Sequence, residues 1–122
     1  MTPRTELPAL TPDQFEVLRR FVVFEARIED IRRSLAGIFD FDLDAERRTA
    51  NSHFEVPEPG ILVTRDHIAK ALEREQRGGI SQRELIDWAT MLLLNDAYQL
   101  DPSEEEFVAE WLNRISYNFD PT

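Results

Sequence analysis

The sequence predicts an all-α fold, a four- or five-helix bundle in one domain that spans residues 1–122. Three observations support this prediction. The 122 residues are 42% hydrophobic and 31% charged, which suits a single compact core. Apolar residues recur at steps of three and four along residues 12–38 and 81–116, the spacing of amphipathic helices. Helix-capping sequences precede several of these segments.

The first predicted helix is long, and it follows an extended lead-in of residues 1–10. Thr11 can cap it, Pro12 suits its first turn, and Gln14 can complete a capping box. The helix is expected to run over residues 12–36 and to end at Gly37. One side of it carries a heptad-like apolar seam of Val17, Phe21, Phe24, Ile28, Ile31, Leu35 and Ile38.

The other side of this helix is also apolar in its first half. Phe15, Leu18, Val22 and Ala26 lie there, so the helix must be covered on two sides. Other helices of the same chain can supply the cover. Alternatively, a second copy can pack on this surface, which would make the protein a helical homodimer.

Residues 38–57 have a different character and predict a small β-hairpin or an extended excursion. Residues 39–43 alternate apolar and acidic side chains, the period of a half-buried strand. Residues 53–56 could pair with them. The prolines at positions 57 and 59 would then end any strand.

Three shorter helices are predicted after residue 63. Thr64 can cap the first, over residues 65–77, and Ser81 with Glu84 forms a capping box for the second, which ends near residue 95. Asp101 is expected to open the last helix, which ends near residue 116. That helix has one apolar face, with Glu106 and Glu110 outward, and the face comprises Phe107, Val108, Trp111, Leu112 and Ile115.

The sequence offers little for catalysis or metal binding. It has no cysteine and two histidines, and it lacks a phosphate-binding loop, a nucleophile elbow and a dinucleotide fingerprint. Asp40, Asp42 and Asp44 match the first ligands of a calcium loop, but Ala45 and Asn51 stand where that loop needs glycine and glutamate. We therefore predict a non-enzymatic protein with no catalytic residue, cofactor or metal.

Charge restricts the partners. The net charge is −10, which argues against duplex DNA and an anionic membrane surface. The longest apolar runs are too short to span a bilayer, and the first residues lack the apolar core of a signal peptide, so the expected location is the cytoplasm. Thirteen of the fourteen basic residues are arginine. Either a GC-rich genome or a need for bidentate carboxylate pairing would give that bias.

The acids are concentrated in the final third of the chain. Residues 84–122 contain nine acids and one base, whereas the first 83 residues have a net charge of −2. A surface of one sign speeds encounter with an oppositely charged partner. A surface that is acidic only for solubility would show the same charge. The alternative prediction, which the candidate residues below follow, is a basic protein partner with an aromatic anchor at Tyr98. The candidate contact residues are Asp87, Asp96, Tyr98, Glu105, Glu106 and Glu110.

Residues 79–89 read Gly-Ile-Ser-Gln-Arg-Glu-Leu-Ile-Asp-Trp-Ala, and Asp101-Pro102 and Glu105-Glu106 follow. This pattern over residues 78–116 resembles small bacterial immunity proteins encoded beside polymorphic or contact-dependent growth-inhibition toxins. The resemblance implies a cytoplasmic, non-enzymatic protein that binds and neutralises a toxin domain, often a basic nuclease. A helical homodimeric adaptor is the alternative.

Overall fold

The computed structural model describes residues 7–43 and 48–117. The described residues form five helices and four strands, so the fold is mixed α/β and the all-α prediction is wrong. Residues 1–6 of the predicted lead-in, together with Asp44 and Ala45, lie outside the described residues. In chain order the elements are α1 (Pro12–Val22), α2 (Ile28–Ser34), β1 (Phe39–Asp42), β2 (Thr49–Ser52), β3 (Ile61–Val63), α3 (Arg65–Gln76), α4 (Gln82–Leu94), β4 (Tyr98–Leu100) and α5 (Glu105–Tyr117).

The predicted long N-terminal helix is two short helices. Helix α1 ends at Val22, and Phe24 adopts a left-handed backbone conformation with φ of 64°. Helix α2 then folds back on α1, and Gln14 Nε2 near the start of α1 donates to the carbonyl of Ser34 at 3.0 Å. The apolar residues on both sides of the predicted helix explain the break, because folding back buries both sides within one chain.

Trp88 of α4 stabilises this break directly. Its indole Nε1 donates to the carbonyl of Val22 at 3.2 Å, which satisfies a backbone acceptor at the end of α1. The ring of Phe24 stacks on Trp88 with 5.3 Å between centroids. These contacts come from a residue more than sixty positions away, so the local sequence of the first helix gives no sign of them.

A hairpin does occupy the segment after α2. Strand β1 pairs antiparallel with β2, and Phe39 lies opposite Ser52. The expected second strand was residues 53–56, and the structure places it at Thr49–Ser52 instead. The backbone N–H of His53 still donates to Ile38 at 2.7 Å, so the pairing continues for one residue beyond β2.

A second sheet, which the sequence analysis did not anticipate, joins distant parts of the chain. Strand β3 pairs parallel with β4, and Ile61 lies opposite Tyr98. Each strand has only three residues, too few to show a period of two in the sequence. This sheet fixes where α3 and α5 begin, because each helix follows one of its strands.

The predictions for α3 and α4 are confirmed to within a residue at each end. Thr64 caps α3, and Ser81 caps α4 with Glu84 completing the capping box. Helix α4 is the centre of the C-terminal half. Its buried residues are Leu85, Ile86, Trp88, Ala89, Thr90, Met91 and Leu92.

The start of the last helix is later than predicted. Asp101 does not cap α5 directly, and its carboxylate instead accepts from the N–H and the hydroxyl of Ser103 at 3.0 and 2.8 Å. The N–H of Asp101 donates to the carbonyl of Val63, which extends the β3–β4 pairing. The chain therefore needs a turn before Glu105, where α5 begins.

The buried apolar residues of the helices, the strands and the segments between them form one core, with Trp88, Phe54 and Leu18 among its largest fully buried members. Among the described residues, no helix has the length and apolar character needed to cross a bilayer.

His67 makes the stability of α3 sensitive to pH. Its Nδ1 accepts from the backbone N–H of Thr64 at 3.0 Å, which requires an unprotonated nitrogen. Burial lowers the pKa of His67 below its ordinary value of 6.5. As the pH falls below 6.5 the unfolded chain binds a proton more readily than the folded chain, so the contribution of His67 to stability is lost.

We expect His67→Gln to lose less stability than the wild type when the pH falls from about 7.5 to about 5.5, measured by urea unfolding. His53→Gln replaces the other histidine, which caps no helix, and serves as the control. An equal loss in the wild type and His67→Gln would contradict this assignment.

Candidate functional site

The outer face of α5 combines exposed carboxylates with accessible aromatic rings. Val108, Leu112, Ile115 and Ser116 turn inward and are buried. Glu106 and Glu110, four residues apart, therefore share the opposite side of the helix, and both are exposed. Two of the six residues predicted to contact a partner are thus brought together on one helical face.

Three aromatic residues lie beside these carboxylates. Phe107 is 36% exposed, Tyr117 is 73% exposed, and Trp111 is partly buried. The rings of Phe107 and Trp111 are 6.3 Å apart. The sequence analysis assigned Phe107 and Trp111 to the buried face of the helix, but both keep accessible surface. Aromatic side chains with a polar rim are typical of the centre of a protein-binding site.

Three arginines lie against the rings of this aromatic strip, and the guanidinium of Arg48 lies 5.1 Å from the ring centre of Tyr117. The guanidinium of Arg65 lies 4.1 Å from the ring centre of Phe107, and that of Arg114 lies 5.0 Å from the ring centre of Trp111. Arg65 also lies 3.8 Å from Glu104. Arg114 forms an ion pair with Glu110 at 2.9 Å, but both side chains are at least 60% exposed, so the pair contributes little stability. Glu110 can therefore exchange Arg114 for a cation of a partner at low cost.

Glu105 and Asp96 lie at the margins of this surface. Glu105 is the first residue of α5, about 100° around the helix from Glu106, and it is exposed. Asp96 is exposed in the turn between α4 and β4. Within the described part of the chain, neither residue forms an ion pair.

Tyr98 is not an exposed anchor. It belongs to β4, is buried, and donates its hydroxyl proton to the carbonyl of Leu18 at 2.5 Å. Burial raises the pKa of Tyr98 well above its ordinary value, so the hydroxyl stays a neutral donor. The prediction of an aromatic anchor at Tyr98 did not include β4, which carries this residue into the core.

Asp87 is separate from the α5 acids. It is half-buried on α4, accepts from Arg83 Nε at 3.0 Å, and lines a groove formed with the α1–α2 corner. Burial raises the pKa of the Asp87 carboxyl above its ordinary value, and the neighbouring Arg83 opposes that rise. Asp87 therefore acts as an internal partner of Arg83 and does not belong to the α5 surface.

The side of α1 that was predicted to pack against a second copy is mostly buried within the same chain. Leu18 and Val22 are buried in the core, and Phe15 is partly buried. The fold-back of α2 and the packing of α4 supply the two-sided cover that α1 required.

Metal-binding side chains do not converge in residues 7–43 and 48–117, where no group of three or more histidines and carboxylates has suitable geometry. Asp40 of the calcium-like pattern lies instead 3.5 Å from His53 on the hairpin.

Comparison with protein-family models, with curated proteins and with solved structures finds no match to this chain.

Sequence reasoning also missed a set of arginines, Arg27, Arg32 and Arg74, that line the same groove as Asp87. One signal was present in the sequence. None of the three has an acid four residues before or after it, so none can form the i,i+4 ion pair that occupies other helical cations here.

Proposed function

We propose that this chain is a non-enzymatic cytoplasmic protein that binds and neutralises a cognate basic toxin domain, and that the outer face of α5 makes the contact. The observation that carries the proposal is the arrangement on α5, where Glu106, Glu110 and Tyr117 lie on the outer face and Phe107 and Trp111 flank it on one side. Aromatic rings supply the desolvated centre of such a contact, and carboxylates select a cationic partner.

The charge of the chain supports the same partner class. Nine of the 24 acids fall in residues 84–122 with a single base. Glu106 is exposed at the surface and forms no ion pair with any other described residue. Glu110 exchanges its exposed pair with Arg114 for a partner cation. The interface would block the toxin sterically, so it requires no catalytic group on this chain.

Only part of the pattern that resembles immunity proteins supports partner binding. Residues 79–89 form the capped start of α4, where Trp88 and Ala89 are buried. This part of the pattern therefore specifies packing, and the acidic helix that follows it carries the proposed contact.

We expect the double substitution Glu106→Lys with Glu110→Lys to slow association with the proposed cognate basic toxin domain by about tenfold or more at low salt. It should also reduce the salt dependence of the association rate, because the attractive field is lost. Stopped-flow or surface plasmon resonance measurements on the full chain at several salt concentrations test this.

The matched control is Glu55→Lys with Glu73→Lys. It changes the net charge by the same amount, and Glu73 is also an exposed residue paired four positions away, with Arg77. Equal slowing in both double variants would mean that net charge, and not this face, steers binding. Unchanged kinetics in the α5 variant would remove α5 from the interface.

A further inference from the structure

A second site candidate is the groove at the corner between α1 and α2. Its walls come from that corner, the end of β1, the loop after α3 and the first turns of α4, and its volume is about 780 Å³. No residue of α5 lines it. The groove is therefore distinct from the proposed protein contact, and its volume lies in the range of small-molecule sites.

The groove collects the arginines that lack an ion pair. Among the described residues, four arginines have no carboxylate partner: Arg27, Arg32, Arg48 and Arg74. Arg48 donates instead to Ser116. The other three line this one groove. The chain has 24 acids and a net charge of −10, so most arginines are expected to form ion pairs. Three arginines without an ion pair in one groove are therefore unusual.

Two of these guanidinium groups are held in place by aromatic rings. That of Arg32 lies 4.4 Å from the ring centre of Phe41, and that of Arg74 lies 5.4 Å from the ring centre of Phe24. A ring below the guanidinium plane holds its position and leaves its N–H edges free to donate. Carboxylates and phosphates accept such edges in pairs.

The floor of the groove is aromatic and conformationally strained. Phe24 stacks on the buried Trp88 with an interplanar angle of 20°. Its φ of 64° lies in the left-handed region, which is unusual for a bulky side chain. Phe24 is only partly buried, so part of this stacked pair remains accessible from the groove.

Four acids also line the groove: Glu29, Asp42, Glu84 and Asp87. Glu84 accepts from the backbone N–H of Ser81 at 3.0 Å as part of the α4 cap. Asp87 is paired with Arg83. Glu29 and Asp42 also line the groove, but neither forms an ion pair with Arg27, Arg32 or Arg74.

We propose that this groove binds a small amphipathic anion, with an apolar body against Phe24 and Ile80 and a carboxylate or phosphate held by Arg32 and Arg74. The free N–H edges of Arg32 and Arg74 select the anion, and the aromatic floor selects its apolar body. A carboxylate and a phosphate can both accept hydrogen bonds from these two guanidinium groups. Titration with one ligand of each kind distinguishes them.

Titration of the isotopically labelled full chain with 1-naphthoate, 1-naphthyl phosphate and neutral 1-naphthol tests the proposal by NMR. We expect one or both anions to shift the indole signal of Trp88, and 1-naphthol to bind at least about tenfold more weakly. Trp111→Phe assigns the two indole signals. The stronger anion identifies the preferred headgroup.

Arg32→Gln with Arg74→Gln is expected to weaken binding of the stronger anion by about tenfold or more. The matched control, Arg33→Gln with Arg77→Gln, removes two neighbouring arginines that already have ion pairs and do not line the groove. All four side chains are exposed, and an unchanged spectrum of each free variant verifies its fold.

Three results would overturn the proposal. The anions could leave Trp88 unshifted at millimolar concentration, the neutral naphthol could bind as tightly as they do, or the two double variants could bind equally. A fourth titration, with hexaglutamate, tests for an acidic protein segment. If hexaglutamate bound and the naphthyl anions did not, the ligand of the groove would be an acidic peptide and the small-molecule proposal would be wrong.

Discussion

Replacing Trp88 by alanine is expected to destabilise the fold by about 3–5 kcal/mol, measured by urea unfolding. Trp88 is 1% exposed and is the largest fully buried side chain. Its removal leaves a cavity under the α1–α2 corner, deprives the Val22 carbonyl of its donor, and ends the stacking with Phe24. Because domains of this kind unfold at a cost of about 5–15 kcal/mol, the loss is a large part of the total.

Two further variants separate these contributions. Trp88→Phe keeps an aromatic ring beside Phe24 but removes the indole N–H, so it should cost about 1–3 kcal/mol. Trp111→Ala removes the other tryptophan from a partly exposed position and should cost less than Trp88→Ala. If Trp88→Ala destabilised the fold no more than Trp111→Ala, this would contradict the role of Trp88 in stabilising the corner between α1 and α2.

Gly60→Ala is expected to destabilise the protein by about 1–3 kcal/mol through its effect on the β3–β4 sheet. A Cβ at position 60 would lie 2.6 Å from the carbonyl oxygen of Ala97 and 2.8 Å from the side chain of Gln99. The Ala97 carbonyl cannot easily move, because it accepts from the N–H of Ile61 at 2.8 Å as part of the sheet.

Gly79→Ala is the matched control. Its added Cβ would approach only the carbonyl of Arg74, at 3.4 Å, so the change should be nearly neutral. Amide hydrogen exchange locates the effect of Gly60→Ala, with the largest loss of protection expected in β3 and β4. Equal stability of the two glycine variants would contradict the close approach at Gly60.

The two binding surfaces depend differently on these structural elements. The α5 face needs the β3–β4 sheet, since β4 leads into the turn that starts α5. The groove needs Trp88, which supports Phe24 from below. Gly60→Ala should therefore weaken the proposed contact at the α5 face more than the proposed binding in the groove. Trp88→Phe should weaken binding in the groove more than the contact at the α5 face.

The local sequence was sufficient to predict those elements that depend on residues only a few positions apart. Thr64 and Ser81 start α3 and α4 because a capping side chain and its backbone partner lie within three residues. The outward positions of Glu106 and Glu110 followed from the helical period alone. The alternation in residues 39–43 likewise indicated β1.

The tertiary structure decided everything that depends on partners far apart in the chain. Helix α1 ends at Val22 because α2 folds back and Trp88 binds the freed carbonyl. Tyr98 is buried because β4 pairs with a strand nearly forty residues earlier and because Leu18 accepts its hydroxyl proton. The three unpaired arginines share one groove only once the corner and α3 come together. Caps and amphipathic faces are set by residues within a few positions, whereas breaks, short parallel strands and grooves form when packing brings distant segments together.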